Sequence, residues 1–299
     1  MANVVINDSH LTAIGNAIRT KNGSQILYKP REMAAAIEAI EVGGGGGSGD
    51  GEISAVHQSM IDITSYSGNT GGMKIVLPKE ATHIPPYLFY QRNGLSEVEF
   101  ENHSAPNFTY IGKYAFYQSN YLRKFEFPES TQVIHDSAFR YCWALDFDHW
   151  PSSLVEIQAN AFRGCYEGMT IDHWPATVPV VDQYVLAECT RCQITSLPEG
   201  VTYIGNYAFS EACDTSETRE LFTIPSTVDN VGNFAFKGQN FKKIRFMGTP
   251  SYISTSAFSN SDVTDMYVPW THSGAIANSP FGAINATIHY NVGPEDVIE

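Results

Sequence analysis

Apolar residues along most of this chain follow one repeated spacing, in which an aliphatic residue is followed four and five positions later by two further apolar residues. Ile204-Gly-Asn-Tyr-Ala208-Phe209 is the clearest copy. The eight copies are Ile84/Leu88/Phe89, Ile111/Ala115/Phe116, Ile134/Ala138/Phe139, Ile157/Ala161/Phe162, Val181/Val185/Leu186, Ile204/Ala208/Phe209, Val231/Ala235/Phe236 and Ile253/Ala257/Phe258. Their last residues lie 27, 23, 23, 24, 23, 27 and 22 positions apart, and such a period is the sequence signature of a solenoid.

A strand-like segment that ends in proline precedes most of these blocks, as in Met73-Lys-Ile-Val-Leu-Pro78. In six repeats a proline lies six positions before the aliphatic residue of the block. These prolines are Pro78, Pro128, Pro151, Pro175, Pro198 and Pro225. Because proline has no N–H to donate, it ends the strand. Each repeat is therefore predicted as a strand, a turn, the aliphatic residue, a short helical turn that points Ala and Phe into the stack, and a polar loop.

The first 41 residues follow a different, helical spacing. Two apolar stripes with steps of three or four residues are formed by Leu11, Ile14 and Ile18 and by Met33, Ile37 and Ile40. This pattern predicts a small α-helical hairpin. A hairpin of this size cannot bury a core of its own, so these six side chains are predicted to mediate attachment to another protein or oligomerisation.

The order of these patterns divides the chain into four parts. Residues 1–41 form the hairpin, and 42–51 form a Gly-rich linker with a random-coil span of roughly 16 Å. Residues 52–269 form the solenoid, and 270–299 form a C-terminal cap and tail. A cap shields the last rung of a solenoid, and the alternative is a tip that contacts a ligand.

Composition narrows the possible partners. The net charge is −14 with only 18 Lys and Arg, which argues against nucleic-acid binding. The N-terminus has no basic and apolar leader, and no apolar run is long enough to span a bilayer, so neither standard secretion nor membrane insertion is expected.

The five cysteines include Cys142, Cys165 and Cys189, each three residues after a block, which favours a buried thiol ladder over disulfides.

The repeated motif has a recognisable family likeness. Ile-Gly-x-x-Ala-Phe, a polar turn, and then Leu-x-x-(Ile/Phe)-x-(Ile/Phe)-Pro resembles the BspA-like leucine-rich repeat over residues 73–269. The resemblance implies a β-rich repeat solenoid of the leucine-rich-repeat type, with about eight repeats and short helical turns. Copy five departs from the motif, with Val185-Leu186 in place of Ala-Phe.

A second resemblance concerns the N-terminal segment. Leu11-x-x-Ile14-x-x-Ala17-Ile18-Arg19-x-Lys21-x-Gly23-Ser24, followed by Tyr28-Lys-Pro30-x-Glu32-Met33-Ala34-x-Ala36-Ile37, resembles tail and baseplate-associated proteins of phages and prophages of Gram-positive bacteria. In those proteins the segment precedes variable, often Gly-rich and adhesive parts.

That resemblance implies a non-enzymatic receptor-binding protein of a phage tail. It would be made in the host cytoplasm without a signal peptide and located in the virion. Its hairpin would attach to other tail or baseplate proteins, and its solenoid would contact a glycan or protein receptor on the bacterial surface. A homo-oligomer is expected, a trimer being common among tail adhesins. The alternatives are a purely structural tail protein and a BspA-like bacterial surface adhesin.

Candidate binding residues occupy the position just before the last strand residue of each repeat. They are Glu99, Glu126, His149, His173, Ser196, Thr223, Arg245 and Tyr267. Side chains alternate along a strand, so this strand-face ladder should share one face, which solenoids commonly use for binding. The alternative is a polar ladder that is merely solvated.

One tetrapeptide within the ladder is doubled. Asp148-His149-Trp150-Pro151 and Asp172-His173-Trp174-Pro175 lie 24 positions apart and should occupy adjacent rungs. Their Trp rings suit sugar stacking, but they also occupy the core position held by Phe127, Leu197 and Ile224. The core interpretation leaves the two Asp and two His residues exposed.

Signs of catalysis and of cofactors are missing from the sequence. The Asp and His residues of the doubled tetrapeptide lack the spacing of a structural zinc site, and Cys189-x-x-Cys192 has no second pair. Neither a Gly-x-Ser-x-Gly motif nor a phosphate-binding loop occurs. We therefore expect no enzyme activity, no cofactor and no metal site.

Overall fold

The computed structural model describes residues 65–67, 72–147, 149–212, 220–272 and 280–298. The predicted hairpin, with Leu11, Ile14, Ile18, Met33, Ile37 and Ile40, lies outside the described residues, as do the linker and Asp148. In chain order the strands are β1 (Ser65–Ser67), β2 (Met73–Leu77), β3 (His83–Ile84), β4 (Leu95–Phe100), β5 (Tyr110–Ile111), β6 (Lys124–Phe125), β7 (Val133–Ile134), β8 (Glu156–Ile157), β9 (Val180–Val181), β10 (Tyr203–Ile204), β11 (Leu221–Ile224), β12 (Asn230–Val231), β13 (Lys243–Phe246), β14 (Tyr252–Ile253), β15 (Asp265–Tyr267) and β16 (Thr287–His289).

Two series of parallel strands run along a solenoid of about nine turns. One series, the strand face, contains β2, β4 and β6 in its first half and β11, β13, β15 and β16 in its second. Isolated parallel bridges, Lys124 to Asp146 and Ser196 to Thr223, continue the strand face between them. The second series consists of two-residue strands in the orders β3-β5-β7-β8 and β9-β10-β12-β14. β1 pairs antiparallel with β2 at the beginning.

The third side of each repeat is a turn and not the helical turn predicted from the sequence. Among the described residues the helical element is the 3-10 segment Glu101–His103. In the second block, Tyr114 and Gln118 both have φ of 56°, in the left-handed region that interrupts a right-handed helix. The backbone N–H of Phe116 donates to the carbonyl of Ala138 in the next turn at 2.7 Å. A helix would satisfy that N–H within itself, whereas the stacked turns use it to join neighbours.

The repeated apolar residues form one continuous core, as predicted. Ile111, Ala115 and Phe116 are fully buried. The Phe116 ring stacks on Phe89 and on Phe139, with both centroid separations 5.0 Å. Val185 and Leu186 of copy five are also fully buried, so the departure from Ala-Phe keeps the same inward direction.

The buried thiol ladder is confirmed for the cysteines that the structure describes. Cys142, Cys165, Cys189 and Cys192 are free and buried, and Cys213 lies outside the described residues. Burial raises the pKa of the Cys142 thiol far above its ordinary value. A thiol in that environment stays protonated and unreactive, which is consistent with a structural role.

Candidate functional site on the strand face

The strand-face ladder lies in register along the second half of the solenoid. Ser196 pairs with Thr223, Thr223 with Arg245, and Arg245 with Tyr267. β11 and β13 alternate half-buried and buried side chains, and the ladder residues are the half-buried ones. The structure therefore places these four candidate residues in one row.

The first two rungs of the ladder are paired with other side chains of the same chain. Glu99 lies 2.7 Å from the Nζ atom of Lys74 and 3.6 Å from that of Lys124. The hydrogen bond from Lys74 holds the pKa of the Glu99 carboxyl below its ordinary value. Glu126 lies 3.0 Å from Nδ1 of His103 and accepts a hydrogen bond from the backbone N–H of Phe100. Both carboxylates are thus engaged within the face.

The last two rungs are covered by the C-terminal tail. Arg245 Nη2 donates to the carbonyl oxygens of Gly293, Pro294 and Asp296 at 2.6, 3.0 and 2.7 Å. The Tyr267 ring stacks on His289 of β16, with centroids 4.6 Å apart. These two side chains therefore hold the C-terminal segment and are half-buried.

The middle rungs remain open to solvent. His149 is 61% exposed and lies 2.7 Å from a carboxylate oxygen of Glu129. His173 is 62% exposed, Asp172 is 77% exposed, and Nδ1 of His173 lies 2.6 Å from Asp172. Hydrogen bonds from Ser152, and then from His149, hold the pKa of the Glu129 carboxyl below its ordinary value. The ladder thus presents its most exposed side chains between Glu126 and Ser196.

Grooves flank these open rungs. One, of about 460 Å³, is lined by His103, Glu126, Phe127, Glu129 and His149 among others. A second, of about 440 Å³, is lined by Trp150, His173, Trp174, Thr177 and Ser196 among others. A third, of about 340 Å³, adjoins Glu126 and His149. Each groove is lined by both apolar and polar side chains.

The two Trp residues belong to the core, which confirms that interpretation of the doubled tetrapeptide. Trp174 is 1% exposed and its Nε1–H donates to the carbonyl of Val178 at 2.9 Å. Trp150 is 7% exposed and its Nε1–H donates to the carbonyl of His173, also at 2.9 Å. Neither ring offers a free face for a sugar, so Asp172, His149 and His173 are the exposed members of the motif.

The described part of the chain contains no group of three or more His, Cys, Asp or Glu residues arranged to hold a metal ion. Within that same part, no helix has both the length and the apolar character required to cross a bilayer.

A row of tyrosines on the turn side is a surface that the ladder prediction missed. Tyr87 stacks on Tyr114 at 5.2 Å, and Tyr90 stacks on Tyr117 at the same separation. Further along, Tyr184 stacks on Tyr207 at 4.7 Å. The signal is present in the sequence, because tyrosine recurs two positions before the last residue of a block. A helical turn at this place would give no reason to expect that position to face solvent, whereas the observed turn exposes it.

Parallel strands on two sides, a ladder of turns on the third and a buried Ile–Ala–Phe stack define a leucine-rich-repeat solenoid. The family model described as "BspA type Leucine rich repeat region" matches residues 59–172, 109–220 and 216–291, in six copies. The chain therefore belongs to the BspA-type leucine-rich-repeat family. The matched range begins at residue 59, so the N-terminal segment lies outside it.

Solved structures of bacterial leucine-rich-repeat proteins resemble this chain at low identity. A leucine-rich repeat protein from Bacteroides ovatus is 14% identical, with 75% of each chain covered and a TM-score of 0.38. A leucine rich cell surface protein from Faecalibacterium prausnitzii is 16% identical, with 79% of this chain and 97% of that chain covered and a TM-score of 0.41. The T. pallidum Leucine Rich Repeat protein is 22% identical, with 59% and 73% covered and a TM-score of 0.34. No curated protein matches the chain.

Proposed function

We propose that this protein is a non-enzymatic adhesin whose solenoid binds a glycan or protein receptor on a bacterial surface through the middle of the strand face. The observation that carries the proposal is the opening between two occupied ends of the ladder. Lys74 and Lys124 neutralise Glu99 at one end, and the tail covers Arg245 at the other. His149 and His173 remain exposed between them, beside the grooves.

The chemistry of this opening suits recognition by hydrogen bonding beside apolar surface. Ligand sites in proteins are mostly apolar concave surfaces with a few polar groups that fix orientation. Phe127 and Trp150 contribute apolar surface to the grooves, while Glu129, His149 and His173 supply donors and acceptors at the rim. Such a rim can bind the hydroxyls of a glycan or the backbone of a peptide.

Binding of the purified full chain to a panel of Gram-positive cells tests this proposal. The double variant His149→Ala/His173→Ala should lower the amount of bound chain at least about tenfold, because it removes two rim side chains that face the ligand. Glu156→Ala serves as the control, since Glu156 is exposed on the second series of strands. Absence of binding to every strain, or equal binding by the double variant, would contradict the proposal.

The setting that we propose is a phage or prophage tail, and the N-terminal segment favours it because of its resemblance to tail and baseplate proteins. In that setting residues 1–41 attach to other tail proteins and assemble the chain as a homo-oligomer, for which a trimer is expected. Deleting residues 52–299 from such a phage should abolish adsorption while leaving intact particles. Aberrant particles in electron micrographs would instead favour the purely structural role.

A BspA-like bacterial surface adhesin is the second candidate, and membership of the BspA-type family favours it. Immunogold labelling distinguishes the two settings, since the tail protein labels virions and the adhesin labels the surface of the cells that produce it. Light scattering of the full chain measures its oligomeric state, and a monomer would remove the proposed role of the N-terminal segment in oligomerisation.

A further inference from the structure

Five tyrosines form one patch on the turn side of the first three repeats. This tyrosine patch consists of Tyr87, Tyr90, Tyr114, Tyr117 and Tyr141. Its first two members are 53% and 38% exposed, and the remaining three are half-buried. Ring contacts of 5.2 to 6.0 Å join it across the turns. The patch lies on the turns and not on the strand face, so it is independent of the function proposed above.

Arg140 lies within the tyrosine patch. Its guanidinium carbon is 4.9 Å from the centroid of the Tyr141 ring and 5.8 Å from that of Tyr117. Its Nη2 atom donates to the Tyr141 hydroxyl at 3.3 Å, and its Nε atom is buried without a hydrogen-bond partner among the described residues. Aromatic rings position a guanidinium in this way without neutralising its charge.

The arginine of the next turn shows what Arg140 lacks. Arg163 occupies the equivalent position and its guanidinium is 2.7 Å from Glu188, which belongs to the following turn. The residue that corresponds to Glu188 for Arg140 is Gly164. A Cβ atom on Gly164 would come within 2.4 Å of Cδ1 of Tyr141. Because residue 164 is glycine, Arg140 has no carboxylate partner at this position, and the Tyr141 ring occupies the space that a side chain would need.

The charge of these turns is opposite to that of the chain. The chain as a whole has a net charge of −14. The turns that carry the patch, residues 85–92, 112–118 and 135–141, contain Arg92, Lys113 and Arg140 and a single carboxylate, Asp136. Asp136 lies 3.8 Å from Lys113, which leaves a positive excess centred on Arg140.

We propose that the tyrosine patch is a second binding site, which takes an acidic polysaccharide bearing carboxylate groups. Arg140 pairs with a carboxylate, because its planar fork matches that group in two hydrogen bonds. The surrounding tyrosines contact the sugar units through their hydroxyls and ring edges. Since equivalent tyrosines lie on successive turns, a polymer of repeated units can contact them in sequence. A nucleic acid is disfavoured because its affinity depends on many Lys and Arg contacts to successive phosphates, and these turns contain only Arg92, Lys113 and Arg140.

Binding of polygalacturonate to the purified full chain, measured by isothermal titration calorimetry at low salt, tests the proposal. Arg140→Gln should weaken the affinity at least about tenfold, because a charge-assisted pair is lost. Arg163→Gln is the matched control and should bind as the parent does, since the Arg163 guanidinium already forms an ion pair with Glu188. Thermal unfolding followed by circular dichroism verifies that both variants are folded.

Further ligands separate the proposal from its alternatives. Methyl-esterified polygalacturonate has the same backbone without the charge and should bind at least about tenfold more weakly. Polyglutamate has the carboxylates without the sugar and should also bind more weakly. Equal binding of polyglutamate, binding of a phosphate-bearing polysaccharide alone, an equal loss in Arg163→Gln, or no binding of polygalacturonate would each overturn the proposal.

Discussion

The thiol of Cys142 donates a hydrogen bond to the backbone carbonyl oxygen of Phe116, which lies one turn earlier in the solenoid and 2.9 Å from Sγ. Four other repeats contain the equivalent hydrogen bond, and in each the donor is the residue three positions after the last residue of the block. The same bond is made by Ser119 to Phe89, Cys165 to Phe139, Cys189 to Phe162 and Gln239 to Phe209. In these repeats the position holds a side chain that can donate in a buried space, and cysteine is one of several residues that do so. Ala212, at the same position after Phe209, is buried without a donor.

Replacing Cys142 separates the hydrogen bond from the packing of the sulfur. Cys142→Ser should retain most of the stability, because Ser119 makes the equivalent bond one turn earlier. Cys142→Ala should lower the free energy of unfolding by about 1 to 2 kcal/mol, since it loses the donor and leaves a small void. Urea unfolding of the full chain measures both variants. Equal stabilities of the Ser and Ala variants would show that the hydrogen bond contributes nothing measurable.

A glycine in the repeated block tests how tightly successive turns approach each other. A Cβ atom on Gly205 would lie 2.5 Å from the backbone nitrogen of Gln183 in the previous turn. Gly205→Ala should therefore lower the free energy of unfolding by about 1 to 3 kcal/mol through overpacking.

Gly72→Ala is the matched control, because nothing lies within 4 Å of the added carbon, and it should change stability by less than about 0.5 kcal/mol. If the two variants unfold at the same urea concentration, the turns have moved apart to admit the methyl group.

The core of the solenoid could be predicted because burial follows the sequence period. Ile111, Ala115 and Phe116 recur at fixed spacing, and a residue repeated at each turn meets its own copy above and below. The conformation of the turn could not be predicted in the same way. Ala and Phe next to each other are compatible with a helix, and a left-handed φ at a non-glycine residue such as Tyr114 carries no clear sequence signal.

The candidate site was predictable as a row but not in its accessibility. Strand alternation places Thr223, Arg245 and Tyr267 on one face. However, the contact that covers Arg245 comes from residues 48 to 51 positions later. Local spacing contains no information about such a distant contact. Likewise, the difference between Arg140 and Arg163 depends on which residue of the following turn lies beside each of them.

Acid should weaken the first rungs of the strand face through Glu99. Its pKa in the folded chain is lowered by the hydrogen bond from Lys74, so the folded state binds fewer protons than the unfolded state between the two pKa values. The stabilisation is complete above the unfolded pKa and is lost as the pH falls through the folded pKa. Glu99→Gln should lower the free energy of unfolding by about 1 kcal/mol at neutral pH, with a smaller difference in acid.

Urea unfolding of the parent and Glu99→Gln between pH 3 and pH 7 measures this dependence. Glu97→Gln is the control, because Glu97 is 41% exposed and 3.9 Å from Lys74, whereas Glu99 is 12% exposed and 2.7 Å away. A difference between parent and Glu99→Gln that stays constant with pH would mean that the charge of Glu99 is not the source of its stabilisation.

Arg245 should determine whether the C-terminal tail stays on the strand face. Its Nη2 atom donates to three carbonyl oxygens of residues 293–296, so Arg245→Met removes all three bonds while keeping an unbranched apolar stem. Nη2 has two hydrogen atoms, so at least one of them is shared between two carbonyls, and a hydrogen bond to a charged donor is worth about 1.5 to 3 kcal/mol. Local opening exposes a segment to proteolysis. Cleavage after Glu295 by a glutamate-specific protease should therefore be at least about tenfold faster in Arg245→Met, as measured by mass spectrometry of the released peptide.

Lys242→Met provides the control, because Lys242 pairs with Asp262 and not with the tail. Equal cleavage rates in the two variants would mean that the pairing of β16 holds the tail and that the hydrogen bonds of Arg245 do not.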